Sequence, residues 1–102
     1  MNGRFRVSVH WKNQYSGGTE GNGKAVPGTD QTGYFWFFDP ANIELVVKVL
    51  DGRPVNGKFW VFYGALSDVE YTLTVTDLET GAERVYRNPP GNVCGRGDTS
   101  AL

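Results

Sequence analysis

One cysteine, one histidine and one methionine are all that this chain of 102 residues contains of those three types. Each scarcity excludes something. A lone Cys94 can build neither an internal disulfide nor a multi-cysteine metal site, and a lone His10 removes most arrangements in which imidazole acts as base or ligand. Charge of one sign is also missing: ten Lys and Arg stand against eleven Asp and Glu, a formal balance of -1. No strongly basic surface is indicated, so nucleic acid is not an expected partner. No apolar run reaches the ~18 residues that cross a bilayer, and the opening "MNGRFRVSV" lacks the long apolar stretch of a signal peptide. The expectation is a soluble chain with no membrane span, whose export signal, if it is secreted, lies outside it.

What is present is glycine and aromatic character. Fourteen glycines and five prolines beside three Trp, five Tyr and six Phe favour short strands joined by tight turns over helices. The length suits one domain, 1–102, burying between ~60% and ~70% of the surface of the unfolded chain. From Arg4 to Trp11 the residues alternate, with Phe5, Val7, Val9 and Trp11 opposed to Arg4, Arg6, Ser8 and His10. The segment 12–32 is polar, glycine-rich and without period, and reads as a long loop with a short extended piece at Ala25–Val26. Strands follow at Tyr34–Phe38, Ile43–Leu50 and Phe59–Tyr63, separated by the turns "DPAN" and "DGRPVNG". Glu70–Thr76 and Ala82–Arg87 form a hairpin about "DLETG", and the remainder reads as an irregular tail. Six to seven antiparallel strands without a helical pattern imply a two-sheet sandwich, immunoglobulin-like, or a partly open barrel.

The run "GYFWFFDPANIELVVKVLDG" holds more apolar surface than one side of a sheet needs. If "DPAN" sets Phe38 opposite Ile43, then Trp36 meets Leu45 and Tyr34 meets Val47 on the core side. A hairpin symmetric about Pro54 adds Val49 with Phe59, Val47 with Val61 and Leu45 with Tyr63. The other side then collects Phe35, Phe37, Val46, Trp60 and Phe62, crossed by Glu44 and Lys48. Two readings follow: the loop 12–32 or the tail covers this side, or Phe35, Phe37, Trp60 and Phe62 form an open platform for a sugar, a peptide or a second copy. A one-residue slip exchanges the faces.

Little in the chain equips it for catalysis. Cys94 and Ser100 lie in the tail with no histidine nearby in sequence. Asp30, Asp39, Asp51, Asp68 and Asp77 fall at turns and strand ends, where aspartate caps local backbone. Asp39, Asn42 and Glu44 match no calcium-loop spacing, and neither a metal nor another cofactor is expected. Arg96-Gly97-Asp98 is a tripeptide that chance supplies readily in a glycine-rich tail. There is no phosphate-binding glycine loop and no Asn-X-Ser/Thr site.

The words FWFF, N-x-E-L and NG-x-FWVF, followed by "TVTD" and "TGAERVYRNPPG", resemble a small all-β accessory domain that recurs in exported bacterial multidomain proteins. The resemblance runs from about Phe5 to the end. It implies an extracellular setting and a non-catalytic binding or spacer role toward a protein or polysaccharide surface, with no activity or site residues to carry over. Some members place a second cysteine near the position of Arg53, and the arginine here leaves Cys94 without that partner. The competing reading is a small inhibitor of a secreted peptidase that holds out the loop 12–32 or 51–57.

Overall fold

The computed structural model describes residues 3–93 and 95–102; the sequence-based questions about Cys94 lie outside the described residues. Among the described residues nine strands form two antiparallel sheets: β1 (Phe5–Asn13), β2 (Thr19–Asn22), β3 (Lys24–Pro27), β4 (Thr32–Trp36), β5 (Ile43–Asp51), β6 (Phe59–Ala65), β7 (Glu70–Asp77), β8 (Glu83–Asn88) and β9 (Gly95–Asp98). Their orders are β2-β1-β7-β8 and β3-β4-β5-β6-β9. The sheets do not join into a barrel, and the molecule is a β-sandwich.

Strict alternation drives this arrangement. In β6 every second residue from Phe59 to Ala65 is buried, and β7 buries Tyr71, Leu73, Val75 and Asp77. Leu45, Val47, Val61, Leu73 and Val75 are wholly buried between the sheets. Each such side chain contributes roughly 1.5–3 kcal/mol by leaving water. Aromatic contacts tie the layers together: Phe5 meets Phe59 at 4.8 Å between ring centroids, and Tyr63 meets Tyr86 at 5.3 Å.

Three segments differ from the sequence reading. The stretch 12–32 is not a loop but supplies two edge strands, β2 beside β1 and β3 beside β4. Between them the chain changes sheets at Gly23, whose N–H donates to the Val9 carbonyl at 2.8 Å. The tail likewise supplies β9, which pairs with β6, and its Ala101 is fully buried. Edge strands meet the interior over little area, so they need little apolar periodicity.

The third difference is a register. Phe35 pairs with Leu45, whereas Trp36 pairs with Ile43, so Ile43 and Glu44 together oppose one residue and form a bulge in β5. The bulge shifts β4 by one place from the expected pairing, and one place inverts every side chain. Phe35 and Phe37 are therefore core residues, 3% and 6% exposed, and the expectation that they share the outer platform is corrected. Tyr34 and Trp36 take the outer side instead, and Phe38 lies exposed over the edge of Trp11 at 4.7 Å.

The β5–β6 register also moves, to Val49 with Val61 and Val47 with Tyr63. That shift is two places, so the expected inner face survives. Its cause is the helical turn Arg53–Asn56, which occupies the connection and closes on Gly57 at φ 75° with the Gly57 N–H donating to the Arg53 carbonyl. The left-handed conformation is open to glycine at no steric cost.

Candidate functional site: the outer face of the five-stranded sheet

The pairing lists fix the outer face of the larger sheet row by row. One row runs Val26, Tyr34, Val46, Gly64 and Gly95 across all five strands. Beside it run Thr32, Lys48, Phe62 and Gly97, and then Leu50 with Trp60. On the other flank Lys24 pairs with Trp36, next to the bulge that carries Glu44. Val26 and Tyr34 are each 37% exposed, Lys48 is exposed, and Trp36, Trp60 and Phe62 are half-buried.

Three of the rings lie over glycine, Tyr34 over Gly28 with a built Cβ 2.7 Å from its ring, and the other two lie on the strands and loop around β6. A Cβ built on Gly52 falls 2.1 Å from the Trp60 indole, and one built on Gly97 falls 2.7 Å from the Phe62 ring. The rings thus occupy the space that side chains would take, a way of shielding glycine in extended chain. Trp60 is fixed further by its Nε1–H, which donates to Asn56 Oδ1 at 3.0 Å in the helical turn. Gly64 differs, because among the described residues nothing lies within 4 Å of its Cβ position.

Of the four residues expected to form a platform, the structure keeps Trp60 and Phe62 on the outer face and moves Phe35 and Phe37 inside. The residues that sequence reasoning missed are Tyr34 and Trp36. A chemical signal was available for them: Tyr and Trp carry polar tips that need partners when buried, whereas Phe does not. Sorting "YFWFF" by that rule puts Phe35 and Phe37 inward.

Glu44 is the buried carboxyl group of this face, 6% exposed. Its Oε1 accepts from Asn42 Nδ2 at 2.7 Å, while Oε2 is buried without a hydrogen-bond partner among the described residues. Asp39 is spent elsewhere, accepting from the Ala41 N–H in its own turn. Among the described residues no three His, Cys, Asp or Glu side chains gather into a metal-binding group.

The other charged clusters have structural employment. At one end of the sandwich Arg4 binds Asp77 through two hydrogen bonds of 3.0 and 2.9 Å, and Arg53 binds Asp51 likewise at 2.9 and 2.7 Å. Both guanidinium groups approach the Phe59 ring, at 4.5 and 4.6 Å from its centroid. The arginine hydrogen bonds hold Asp77 and Asp51 down at about 2. A cleft of about 370 Å³ at this end is lined by Arg4, Asp51, Arg53 and Glu79 over the Phe59 ring.

His10 sits on the outer face of the smaller sheet, half exposed, with Nε2 2.9 Å from Glu20 and Nδ1 3.3 Å from Asn22. Those bonds, Glu20 first, raise its pKa above the ordinary value. The Arg96-Gly97-Asp98 triplet is extended in β9. Asp98 accepts from the Tyr86 hydroxyl at 2.7 Å and from the Ser100 N–H at 3.0 Å, so its carboxylate braces the two sheets.

No protein-family description, characterised protein or solved structure was found to match this chain. Among the described residues no helix is long and apolar enough to cross a membrane.

Proposed function

We propose that this chain is a non-catalytic, immunoglobulin-like binding or spacer module of a secreted bacterial protein, and that it makes its contacts through the outer face of the five-stranded sheet. The observation that supports this is the gathering of Tyr34, Trp36, Trp60 and Phe62 with Lys48 on one side of one sheet, none of them needed for the interior. Aromatic side chains anchor interfaces because they offer large rigid area at small entropic cost. The alternative is a small peptidase inhibitor; of the two segments it would hold out, 12–32 lies along two sheet edges as β2 and β3, and 51–57 carries the helical turn Arg53–Asn56.

Retention of the protein on insoluble cell-wall material and polysaccharides tests the proposal, with Tyr34→Ala and Trp36→Ala as the variants. Both residues lie off the core, so the fold should persist. Each variant should weaken retention by roughly tenfold or more. Equal retention of wild type and variants rejects this face as the contact surface, and inhibition of a peptidase panel insensitive to both would favour the inhibitor instead.

A further inference from the structure

We infer that the ligand of this face is an acidic polysaccharide, lying across the strands in a trough floored by Gly64 and Gly95. The inference rests on the reading of the outer face as a binding surface and adds the chemistry of its occupant.

The trough comes from the glycines. Gly64 stands in β6, between β5 and β9, where a side chain would strengthen the strand and glycine weakens it. Among the described residues nothing lies within 4 Å of a Cβ placed on it, and its ladder partner Gly95 would bring a Cβ only against the backbone of Tyr63 and Gly64. Glycine in a strand interior marks either a bend or a place where something approaches the backbone closely. The β5–β6 pairing continues past Gly64 to Ala65 without a break in register, and the β6–β9 ladder ends on the pair Gly64 with Gly95; no bulge in β6 accounts for the glycine, which leaves close approach. The floor continues through Val46 to Tyr34, and five strands at ~4.8 Å spacing give a track of roughly 19 Å. Phe62 and Lys48 border one side, and Trp36 with Glu44 the other.

The occupant follows from which groups are free. Main-chain N–H and C=O groups of β4, β5 and β6 are engaged in the ladders on both sides, so a peptide laid on the face gains no strand pairing, which would need an edge. A pyranose ring needs none. Its C–H face stacks on Tyr34, Trp36 or Phe62. The exposed charges of the face are Lys24 and Lys48, while the nearby Asp51 is bound through both oxygens to Arg53. A carboxylate-bearing glycan complements that balance. Two lysines are too few for the phosphate density of nucleic acid, and a two-fold contact between copies would bring the two lysine-bearing faces together.

The test is affinity electrophoresis and calorimetry of the full chain with alginate, polygalacturonate and hyaluronate, beside xylan, dextran and methyl-esterified polygalacturonate. At least one acidic polymer should be retained, with retention falling as salt rises. Lys48→Glu should weaken it tenfold or more. Gly64→Ala should do the same while the thermal midpoint stays level or rises, because the methyl group enters open space and fills the floor. Equal retention of neutral and acidic polymers overturns the inference, as does a Gly64→Ala variant that binds like wild type. A neutral glycan, an anionic vesicle or a second copy bound in a Tyr34-dependent way overturns it too but leaves the binding face standing. Indifference of every binding measurement to Tyr34→Ala ends both.

Discussion

The two sheets share one interior and turn unlike faces to solvent. Outside the four-stranded sheet the rows read Arg6, Thr76, Glu83, then Ser8, Thr74, Val85, then His10, Thr72, Arg87: short hydroxyl side chains and charges of both signs. Outside the five-stranded sheet the rows hold Tyr34, Trp36, Trp60 and Phe62 with exposed Lys24 and Lys48. Burial explains neither choice, since each sheet already fills its inner face. A polar outer face is what solubility asks of a sandwich. An aromatic one is a departure from that default, and departures from local consistency concentrate at sites of function.

The comparison depends on parity in β4, and substitution on neighbouring residues tests it most severely. Phe35→Ala should cost about 3–5 kcal/mol, the usual loss for a buried ring, whereas Tyr34→Ala, one residue away, should cost about 1 kcal/mol or less. Chemical denaturation of the two variants gives the answer. Comparable losses would place both rings in the interior and dissolve the contrast between the faces.

How much of this was legible in the sequence follows from which strands had two neighbours and a clean period. β1, β5, β6 and β7 read correctly because their inward residues are apolar at every second position, and a two-place error in the β5–β6 hairpin left Leu45, Val47 and Val49 inward. β4 was foreseen as a strand but with the wrong face inward, because the extra residue of the Ile43–Glu44 bulge is invisible to alternation and reverses everything beyond it. β2 and β9 were missed, and β3 was foreseen only as an extended piece at Ala25–Val26, for a different reason: "TEGN", "KAVP" and "GRGD" have poor strand propensity and owe their conformation to the partner strand. On the outer face, Trp60, Phe62 and Lys48 lie where alternation placed them, and the swap of Phe35 and Phe37 for Tyr34 and Trp36 follows from the same single residue.

Acid provides a second, smaller test, since each sheet carries one aspartate bound by arginine at the same end. Asp77 in β7 is 3% exposed and Asp51 in β5 is exposed; their pairing with Arg4 and Arg53 brings each from an ordinary 3.8 to about 2. A carboxylate whose folded pKa is depressed adds stability that is complete above its unfolded value and vanishes as pH falls through the folded one. Stability should therefore drop between about pH 4 and pH 2, and Asp77→Asn should flatten that drop more than Asp51→Asn, because exposed pairs are screened by solvent. The measurement is the denaturation midpoint of the three proteins across that range. An identical acid profile in Asp77→Asn and wild type would remove the buried pair as its cause.

The finest discrimination comes from exchanging character between the faces at constant shape. Thr74 and Val46 occupy the middle of the two outer faces, half-buried in each case, and Thr and Val differ by one hydroxyl on the same branched frame. Thr74→Val and Val46→Thr should both shift stability by no more than about 0.5 kcal/mol, since neither touches the interior. Only Val46→Thr should weaken retention on a bound glycan, by a few-fold, because it sets a hydroxyl into the floor of the track between Tyr34 and Gly64. Were Thr74→Val to weaken retention as much, the polar face would be sharing in recognition and the asymmetry of the two sheets would have no functional meaning.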